Sequence, residues 1–358
     1  MSKILVGMSG GVDSSAAAKL LLDMGHEVTG ATIKMFDKGA LPAFSGKCGD
    51  SEADDAAAVC KALGIEHLRL DFSDKFGKYV MDGFVDSYLR GETPNPCIEC
   101  NAHLKFGAML DYALSNGFDM IATGHYAERV FDEKSGKYLL VRPSDRSKDQ
   151  TYVLYKLTQH QLEHTIFPLW GYEKAEIRKI AESAGLINAD KPDSQDICFV
   201  PDGDYASFIV NRSGITPPSG DMLCEGSVIA QHRGIIHYTI GQRKGLGIAL
   251  GKPAYVVDKD AQKNTVTIGG EELLFKSRLV LRDVNWISGE APDKPVKVTA
   301  KTRYSQHESR ATVYPDGSGA EIVFEQPQRA PAKGQAAVFY DGDILLGGGT
   351  IDAITEDK

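Results

Sequence analysis

The first half of the chain alternates between short apolar runs and longer amphipathic segments. The apolar runs are residues 4–7, 28–35, 67–70 and 120–123. Helical spacing of apolar positions is found in residues 16–23, 52–63, 104–115 and 174–183. Strands that alternate with helices predict a parallel, doubly wound α/β sheet, in which ligands bind at the carboxyl ends of the strands.

The pattern changes near residue 206, and the Pro-Pro-Ser-Gly segment at residues 217–220 marks a boundary loop. Beyond it, short strand-like runs are separated by turns that contain Gly, Pro and Asp-Gly. The runs are residues 254–258, 265–268, 296–301, 321–324 and 336–339. This texture is typical of an all-β sandwich or small barrel. We interpret the glycine triplet at residues 347–349 as hairpin geometry, not as a phosphate site.

Residues 8–15 (Met-Ser-Gly-Gly-Val-Asp-Ser-Ser) join the first predicted strand to the first predicted helix. Adjacent glycines let backbone amides close around an anion, serines add hydroxyl donors, and the helix dipole favours negative charge. The expected ligand is therefore a nucleotide. Asp13 stands where a Walker A loop carries its lysine. A loop without that lysine favours retention of pyrophosphate as a leaving group, which indicates adenylation of a substrate.

Composition limits the class of protein. At 358 residues the chain exceeds one compact core, and 42% hydrophobic with 25% charged residues is typical of a soluble globular protein. No apolar run approaches the ~20 residues needed to span a bilayer. The first residues carry the nucleotide loop and not a targeting peptide, so we expect no membrane association and a cytoplasmic location.

The net charge of −9 argues against nucleic acid, but the charge is unevenly placed. Residues 1–205 carry 22 Lys and Arg against 31 Asp and Glu, whereas residues 206–358 carry 18 of each. Residues 226–257 contain no acidic residue, and residues 294–310 carry five cations against one acid. These basic stripes suit a nucleic acid backbone, although a solvated basic surface has the same composition.

Six cysteines are present, at Cys48, Cys60, Cys97, Cys100, Cys198 and Cys224. In such a chain they favour reactive or metal-binding thiols over a disulfide framework. Cys97 and Cys100 have C-x-x-C spacing on a proline-rich loop that leads into a helix predicted to begin near His103. A helix amino terminus lowers a nearby thiol pKa. The same spacing also occurs in zinc, redox and incidental pairs.

Seven motifs carry a resemblance that spans the whole chain. They are residues 7–14, 93–101, 122–126, 148–152, 194–199, 238–247 and 339–343. The first resembles the Ser-Gly-Gly-x-Asp-Ser signature of PP-loop ATP pyrophosphatases. Together the motifs closely resemble the bacterial tRNA-uridine 2-sulfurtransferase family, also called tRNA-specific 2-thiouridylases.

The resemblance implies a PP-loop catalytic domain at residues 1–205, a small central β-rich tRNA-binding domain at 206–272 and a C-terminal tRNA-binding β-barrel at 273–358. It implies that ATP with Mg²⁺ adenylates the 2-oxo group of the wobble uridine, which sulfur then replaces. By the same resemblance, Cys198 carries the sulfur as a persulfide and Cys100 is the partner nucleophile, the two ending as a disulfide.

Site residues follow from the matched motifs. The implied ATP contacts are Gly7, Met8, Ser9, Gly10, Gly11, Val12, Asp13, Ser14, Met35 and Gly124. The implied tRNA contacts are Asn95, Pro96, Cys97, His125, Lys148, Asp149, Gln150, Arg303, Tyr304 and Gln335. The implied partners are the tRNAs for Lys, Glu and Gln and a sulfur donor, either a cysteine desulfurase or a sulfur relay protein. We expect a monomer.

The chain departs from the family at Cys97, where many members carry Asp. Cys97, Cys100 and Cys198 are possible ligands of an iron-sulfur cluster, and Cys97 is alternatively a resolving or spare thiol. We rank the persulfide and disulfide route first. Two other classes remain open: a PP-loop amide ligase, such as an argininosuccinate or NAD synthetase, which needs no paired thiols, and a non-catalytic RNA-binding or redox-sensing protein.

Overall fold

The computed structural model describes residues 1–36, 50–189, 191, 197–248 and 251–355. Its N-terminal part contains seven strands: β1 Lys3–Gly7, β2 Glu27–Lys34, β3 His67–Asp71, β4 Met120–Ala122, β5 Glu128–Asp132, β6 Lys137–Val141 and β7 Thr165–Ile166. Five of them form a parallel sheet in the order β3-β2-β1-β4-β7. The predicted parallel α/β sheet is confirmed.

Nine α-helices accompany the strands in the described part of the chain. They are α1 Val12–Asp23, α2 Asp50–Leu63, α3 Ser73–Phe76, α4 Gly83–Leu89, α5 Pro96–Cys100, α6 Met109–Ser115, α7 Gln159–Glu163, α8 Lys174–Ser183 and α9 Tyr205–Ser213. The π-helical segments Gly77–Asp82 and Asn101–Ala108 join α3 to α4 and α5 to α6. Among these residues no helix has the length and apolar character needed to cross a membrane.

The segment at residues 93–101, here called the cysteine loop, becomes helical earlier than the sequence indicated. Its helix begins at Pro96, not near His103, and the Asn95 side chain accepts a hydrogen bond from Cys97 N at 3.2 Å. An Asn cap followed by Pro is a favourable helix start, because Pro needs no amide partner in the first turn. Cys97 and Cys100 therefore lie within the helix and not before it.

The sheet is covered on both faces because its strands are apolar on both. In β1, Ile4 and Val6 pack against α1, α2 and α8. Leu5 points to the opposite face and packs in the cluster that holds Phe106 and Met109 of the helix following the cysteine loop. Successive strand residues face opposite sides, so an unbroken apolar run indicates burial on both. The doubly wound arrangement is confirmed.

A second, four-stranded sheet forms the central domain. Its strands are β8 Gly220–Cys224, β9 Ser227–His232, β10 Tyr255–Asp260 and β11 Thr265–Gly269, in the order β10-β11-β8-β9. Val256 and Ile268 of this sheet share a hydrophobic cluster with Phe76 and Phe84 of the N-terminal helices. The central domain therefore completes its core against the first domain.

The C-terminal strands form a closed barrel. They are β12 Phe275–Trp286, β13 Val296–Lys301, β14 Ser309–Asp316, β15 Gly319–Arg329, β16 Ala336–Asp341 and β17 Ile344–Thr355. Their order is β12-β15-β14-β13-β16-β17, and a further pairing of β12 with β17 closes the ring. The β5–β6 hairpin of the first domain extends this sheet through Leu140 and Val141, which pair with Leu345 and Ile344.

The glycine triplet belongs to the β16–β17 hairpin, as the sequence indicated, but it lies in the second strand and not at the turn. The turn itself is at Gly342, where φ is +56°. A Cβ atom at Gly347 would overlap the carbonyl oxygen of Asn285 in β12, and one at Gly348 would lie 2.8 Å from the ring of Tyr155. The triplet is needed because neighbouring chain segments approach β17 closely.

Candidate nucleotide and thiol site

The phosphate loop lies at the point where the strand order of the parallel sheet reverses. β1 ends at Gly7, α1 begins at Val12, and β4 lies beside β1 on the other side from β2. In open α/β sheets, ligands bind in the crevice at this point. Gly10 has φ of +72°, and a Cβ there would lie 2.6 Å from Glu52 O, so only glycine fits.

Side chains hold the loop in a fixed shape. Ser14 Oγ accepts a hydrogen bond from Ser9 N at 3.2 Å and donates one to Gly11 O at 3.0 Å. Asn188 Nδ2 donates to Gly10 O at 3.1 Å and to Ser15 Oγ at 2.8 Å. The amides in the first turn of α1 have no acceptors within the helix. The loop thus has a fixed shape with amides at a helix amino terminus that lack partners within that helix, which is the arrangement of an anion-binding site.

Gly124, just after β4, touches this loop directly. A Cβ atom at position 124 would lie 2.7 Å from Ser14 N and 2.8 Å from the carbonyl carbon of Asp13. Because the carboxyl ends of parallel strands meet at one edge of the sheet, the segment after the fourth predicted strand is expected beside the loop, and the structure places it there. Its contact with ATP stays a prediction.

Asp13 is held by an ion pair that the sequence analysis missed. Lys174 Nζ lies 2.7 and 2.8 Å from the two carboxylate oxygens of Asp13, and Tyr126 OH donates to Asp13 Oδ1 at 2.8 Å. Lys191 Nζ lies 3.3 Å from Gly10 O. Two lysines from later in the chain therefore reach the phosphate loop. The absence of a lysine within the loop was the sequence feature that could have indicated them.

One hydrophobic cluster contacts both the residue expected at the adenosine end of ATP and the two predicted catalytic thiols. Met35, Cys100 and Cys198 all pack against the cluster that contains Phe76 and Phe199. Residues 192–196, which precede Cys198 in its motif, lie outside the described residues. The fold thus brings Cys100 and Cys198 to the same cluster although they are far apart in the sequence.

Burial controls the ionisation of the cysteine pair. Desolvation raises the pKa of the Cys100 thiol, Lys105 opposes the rise and Cys97 adds to it. Desolvation likewise raises the pKa of Cys97, again opposed by Lys105, although this residue is exposed at the surface. The expected lowering of the thiol pKa by a helix amino terminus is wrong for Cys100, whose pKa is raised because burial disfavours the charged thiolate.

The three cysteines of the possible cluster do not converge on a single ion. Among the described residues, the His, Cys, Asp and Glu ligand atoms that come within 4.8 Å of one another in a group of three are those of His160, Glu163 and His164. Within the same described part of the chain, Cys97, Cys100 and Cys198 do not form such a group.

Several predicted tRNA contacts are engaged within the protein. His125 is 8% exposed, its Nδ1 lies 2.8 Å from Thr123 Oγ1, and burial lowers its pKa well below the usual value, so it is neutral. Asp149 Oδ1 accepts bonds from Thr151 N and Oγ1. Gln150 Oε1 accepts from Tyr126 N at 2.9 Å.

The remaining predicted contacts fall into two groups. Arg303 Nη2 donates to Ile240 O at 3.0 Å and to Ala330 O at 2.8 Å, linking the central domain to the barrel, and Gln335 Nε2 donates to Thr93 O at 2.7 Å. The others lie at the surface or near the cysteine loop: Tyr304 is 45% exposed, Lys148 is half-buried, Asn95 caps α5 and Pro96 is buried.

Comparison with known proteins decides the family. Family profiles match residues 2–202 (tRNA methyl transferase HUP domain), 215–270 (tRNA methyl transferase PRC-barrel domain) and 276–351 (Aminomethyltransferase beta-barrel domain). The tRNA-specific 2-thiouridylase MnmA of Acetivibrio thermocellus is 49% identical over 354 residues, covering 98% of this chain and 99% of that protein. This chain belongs to the tRNA-specific 2-thiouridylase family.

Other members of the thiouridylase family match equally fully. The MnmA protein of Moorella thermoacetica is 49% identical over 357 residues, covering 98% of this chain and 100% of its own. The protein of Clostridioides difficile is 47% identical over 353 residues, covering 98% of both chains. The resemblance drawn from the motifs is confirmed, and the chain is an enzyme of the thiouridylase family.

Proposed function

We propose that this enzyme thiolates the wobble uridine of tRNA at C2, with ATP activating the 2-oxo group and a cysteine persulfide supplying the sulfur. The observation that carries the proposal is a shared location. Met35, the residue after β2 that we expect at the adenosine end of ATP, packs on the same hydrophobic cluster as Cys100 and Cys198. Relatives named as tRNA-specific 2-thiouridylases, 47–49% identical over nearly the whole chain, support tRNA as the substrate.

In the first step, O2 of the uracil attacks the α-phosphorus of ATP. A bond forms between O2 and phosphorus, the α–β anhydride bond breaks, and pyrophosphate leaves. The amides of the first turn of α1 and the hydroxyl of Ser9 are the donors that hold the phosphates, while Ser14 fixes the loop through Ser9 N and Gly11 O. Mg²⁺ would neutralise charge on the phosphates, and Asp13, a carboxylate in the first turn of α1, would hold it when Lys174 moves away.

In the second step, a donor protein of the cysteine desulfurase or relay type places a sulfane sulfur on Cys198. The terminal sulfur of this persulfide attacks C2, and the C2–O bond breaks to release AMP. The Cys100 thiolate then attacks Cys198 Sγ, which breaks the S–S bond and leaves sulfur on C2. A disulfide joins Cys100 to Cys198, and a thiol reductant restores both thiols.

Deprotonation of Cys100 is a condition for that step, because burial raises its pKa. Lys105 is the cation that favours the thiolate. We propose that tRNA binding rearranges the cysteine loop and lowers this cost. In the persulfide route Cys100 therefore loses its proton after tRNA has bound.

For tRNA binding we propose the two β-rich parts, with boundaries at residues 206–272 and 273–358. The acid-free stripe at residues 226–257 and the cationic stripe at 294–310 supply positive charge for phosphates. Exposed Tyr304 offers a ring on which a base can stack. The tRNAs for Lys, Glu and Gln, a monomeric state and a cytoplasmic location complete the proposal.

An alternative sulfur carrier is an iron-sulfur cluster held by Cys97, Cys100 and Cys198. The observation that favours it is a third thiol, Cys97, one helical turn from Cys100. Iron and sulfide analysis after anaerobic purification tests it. Full thiolation activity in iron-free protein contradicts the cluster, and loss of activity on removing stoichiometric iron contradicts the persulfide route.

The proposed function is tested with Cys198→Ser, using Cys224→Ser as the matched control. We expect Cys198→Ser to form no 2-thiouridine while it still binds ATP and releases pyrophosphate in the presence of tRNA. The control keeps thiolation, because Cys224 lies at the end of β8, outside the phosphate loop, the cysteine pair and the acid-free stripe at residues 226–257. An amide ligase would keep its turnover in both variants. Mass spectrometry of tRNA nucleosides from cells lacking the protein provides the second test, and unchanged 2-thiouridine contradicts the proposal.

A further inference from the structure

Lys174 brings a cation to the phosphate loop, whose own residues 8–15 contain no lysine. The loop has Asp13 where a Walker A lysine is expected, and the Lys174 ammonium lies 2.7 and 2.8 Å from the two Asp13 oxygens. Lys174 is the first residue of α8, which follows β7 along the chain. The fold thus places the Lys174 cation at the phosphate loop, although Lys174 and Asp13 are 161 residues apart in the sequence.

The surroundings of this ion pair favour an exchange of partners. The Lys174 side chain is 13% exposed and that of Asp13 is 29% exposed. Burying an ammonium is costly unless an anion accompanies it, so Asp13 compensates the burial of Lys174 and holds it in place when no nucleotide is bound. Asp13 also lies in the first turn of α1, where the helix dipole attracts anions. Phosphates bound there carry several negative charges against the single charge of Asp13.

We propose that Lys174 is a phosphate-binding residue. In the free enzyme its ammonium is bound to Asp13. When ATP binds, the ammonium moves to the oxygens of the β- and γ-phosphates, and it remains on pyrophosphate when the α–β anhydride bond breaks. The flexible four-carbon stem of lysine allows this short movement. The inference rests on the proposed function, because it assigns a residue to the ATP site of that reaction.

The test compares Lys174→Met and Lys174→Arg with Lys179→Met, which removes an exposed lysine from the same helix. Binding of ATP, pyrophosphate and AMP is measured separately by calorimetry or competition. We expect Lys174→Met to weaken pyrophosphate and ATP by about 10- to 100-fold, the loss of one charge-assisted hydrogen-bonding group. AMP binding stays unchanged, Lys174→Arg recovers part of the loss, and Lys179→Met matches the parent protein.

A purely structural role for the ion pair gives a different result. It would weaken AMP as much as pyrophosphate, because the whole loop would be disturbed, and this overturns the inference. Unchanged pyrophosphate binding in Lys174→Met also overturns it. These binding measurements need no tRNA. A protein that binds ATP through Lys174 but forms no 2-thiouridine therefore contradicts the proposed function alone.

Discussion

The side-chain amide of Gln335 donates a hydrogen bond to the backbone carbonyl of Thr93, with an N–O distance of 2.7 Å. Gln335 directly precedes β16 of the barrel, and Thr93 begins the loop that leads to Cys97 and Cys100. In return, Thr93 N donates to Lys333 O at 2.8 Å. The barrel therefore holds the cysteine loop at two points, which ties the geometry of the thiols to the C-terminal domain.

Replacing Gln335 with Leu keeps the size of the side chain and removes the donor to Thr93. Because the cysteine loop loses one of its two attachments, we expect the kcat of thiolation to fall about 10-fold, with unchanged affinity for ATP. Single-turnover formation of 2-thiouridine measures this. The control is Gln326→Leu, an exposed position in β15. If tRNA affinity falls instead while kcat is preserved, Gln335 acts as a tRNA contact and not as a loop anchor.

Gly124→Ala tests the contact between β4 and the phosphate loop. The new methyl group would lie 2.7 Å from Ser14 N and 2.8 Å from the carbonyl carbon of Asp13, both in the backbone. Backbone atoms of a packed loop do not yield as a flexible side chain does, so the loop must shift. We expect ATP affinity to fall at least about 10-fold, measured by equilibrium binding.

The matched control for Gly124→Ala is Gly83→Ala. Gly83 begins α4, and among the described residues no atom beyond its own helix backbone and chain neighbours would lie within 4 Å of a Cβ added there. Alanine is favoured over glycine in a helix by about 0.5–1 kcal/mol, so this variant keeps ATP binding and unfolds at a slightly higher temperature. Equal ATP affinity in Gly124→Ala and the parent protein would show that the loop accommodates the methyl group.

Local patterns predicted the fold because each depends on neighbours in the sequence. The unbroken apolar run at residues 4–7 indicated a strand buried on both faces, and the glycine-rich turn after it indicated a phosphate loop. The helix at residues 174–183 was predicted with the bounds that the structure shows. The position of Gly124 beside the loop followed from its place after the fourth predicted strand, since ligands bind at the carboxyl ends of parallel strands.

Contacts between residues far apart in the chain could not be predicted from the sequence. Nothing local in Lys174 marks it as the partner of Asp13, because the contact depends on where β7 places α8. The pairing of β6 with β17 likewise depends on how the first domain meets the barrel. The thiol pKa was predicted in the wrong direction for the same reason: the helix dipole is a local property, whereas desolvation of Cys100 depends on the packing around it.

The raised pKa of Cys100 predicts slow alkylation of this thiol at neutral pH. Only the thiolate reacts, so the rate with iodoacetamide is expected to rise with pH beyond the ordinary titration range of a cysteine. Lys105→Met removes the cation that opposes the rise in the pKa. It should therefore move the profile to still higher pH for both Cys97 and Cys100, as followed by peptide mass spectrometry.

The control for Lys105→Met is Lys61→Met, which removes an exposed cation at the end of α2. Its alkylation profile should match that of the parent protein. A shift to lower pH in Lys105→Met would mean that Lys105 does not favour the thiolate. Alkylation of the parent enzyme measured with tRNA bound then shows whether tRNA lowers the pKa of Cys100, as the proposed sulfur transfer requires.

Lys259 predicts a specific pH dependence of stability. It is 7% exposed, its Nζ donates to Tyr238 O at 2.9 Å, and burial lowers its pKa from 10.5 to about 8. Below the folded pKa both states hold the proton. Between the folded and unfolded pKa values the unfolded chain holds a proton that the folded protein has lost, so the lysine's contribution to the free energy of unfolding increases with pH. Between these two pKa values the contribution of the lysine to the free energy of unfolding increases by about 3 kcal/mol.

Lys259→Met removes this titration. We expect the free energy of unfolding of the parent protein to rise relative to that of the variant between pH 8 and about 10, measured by urea denaturation. Other groups titrate in both proteins and cancel in the difference. Lys263→Met, at a lysine whose side chain is 79% exposed, should show no such trend. A difference between the parent protein and Lys259→Met that stays flat with pH would contradict the buried, weakly basic lysine, because only a proton lost on folding produces the slope.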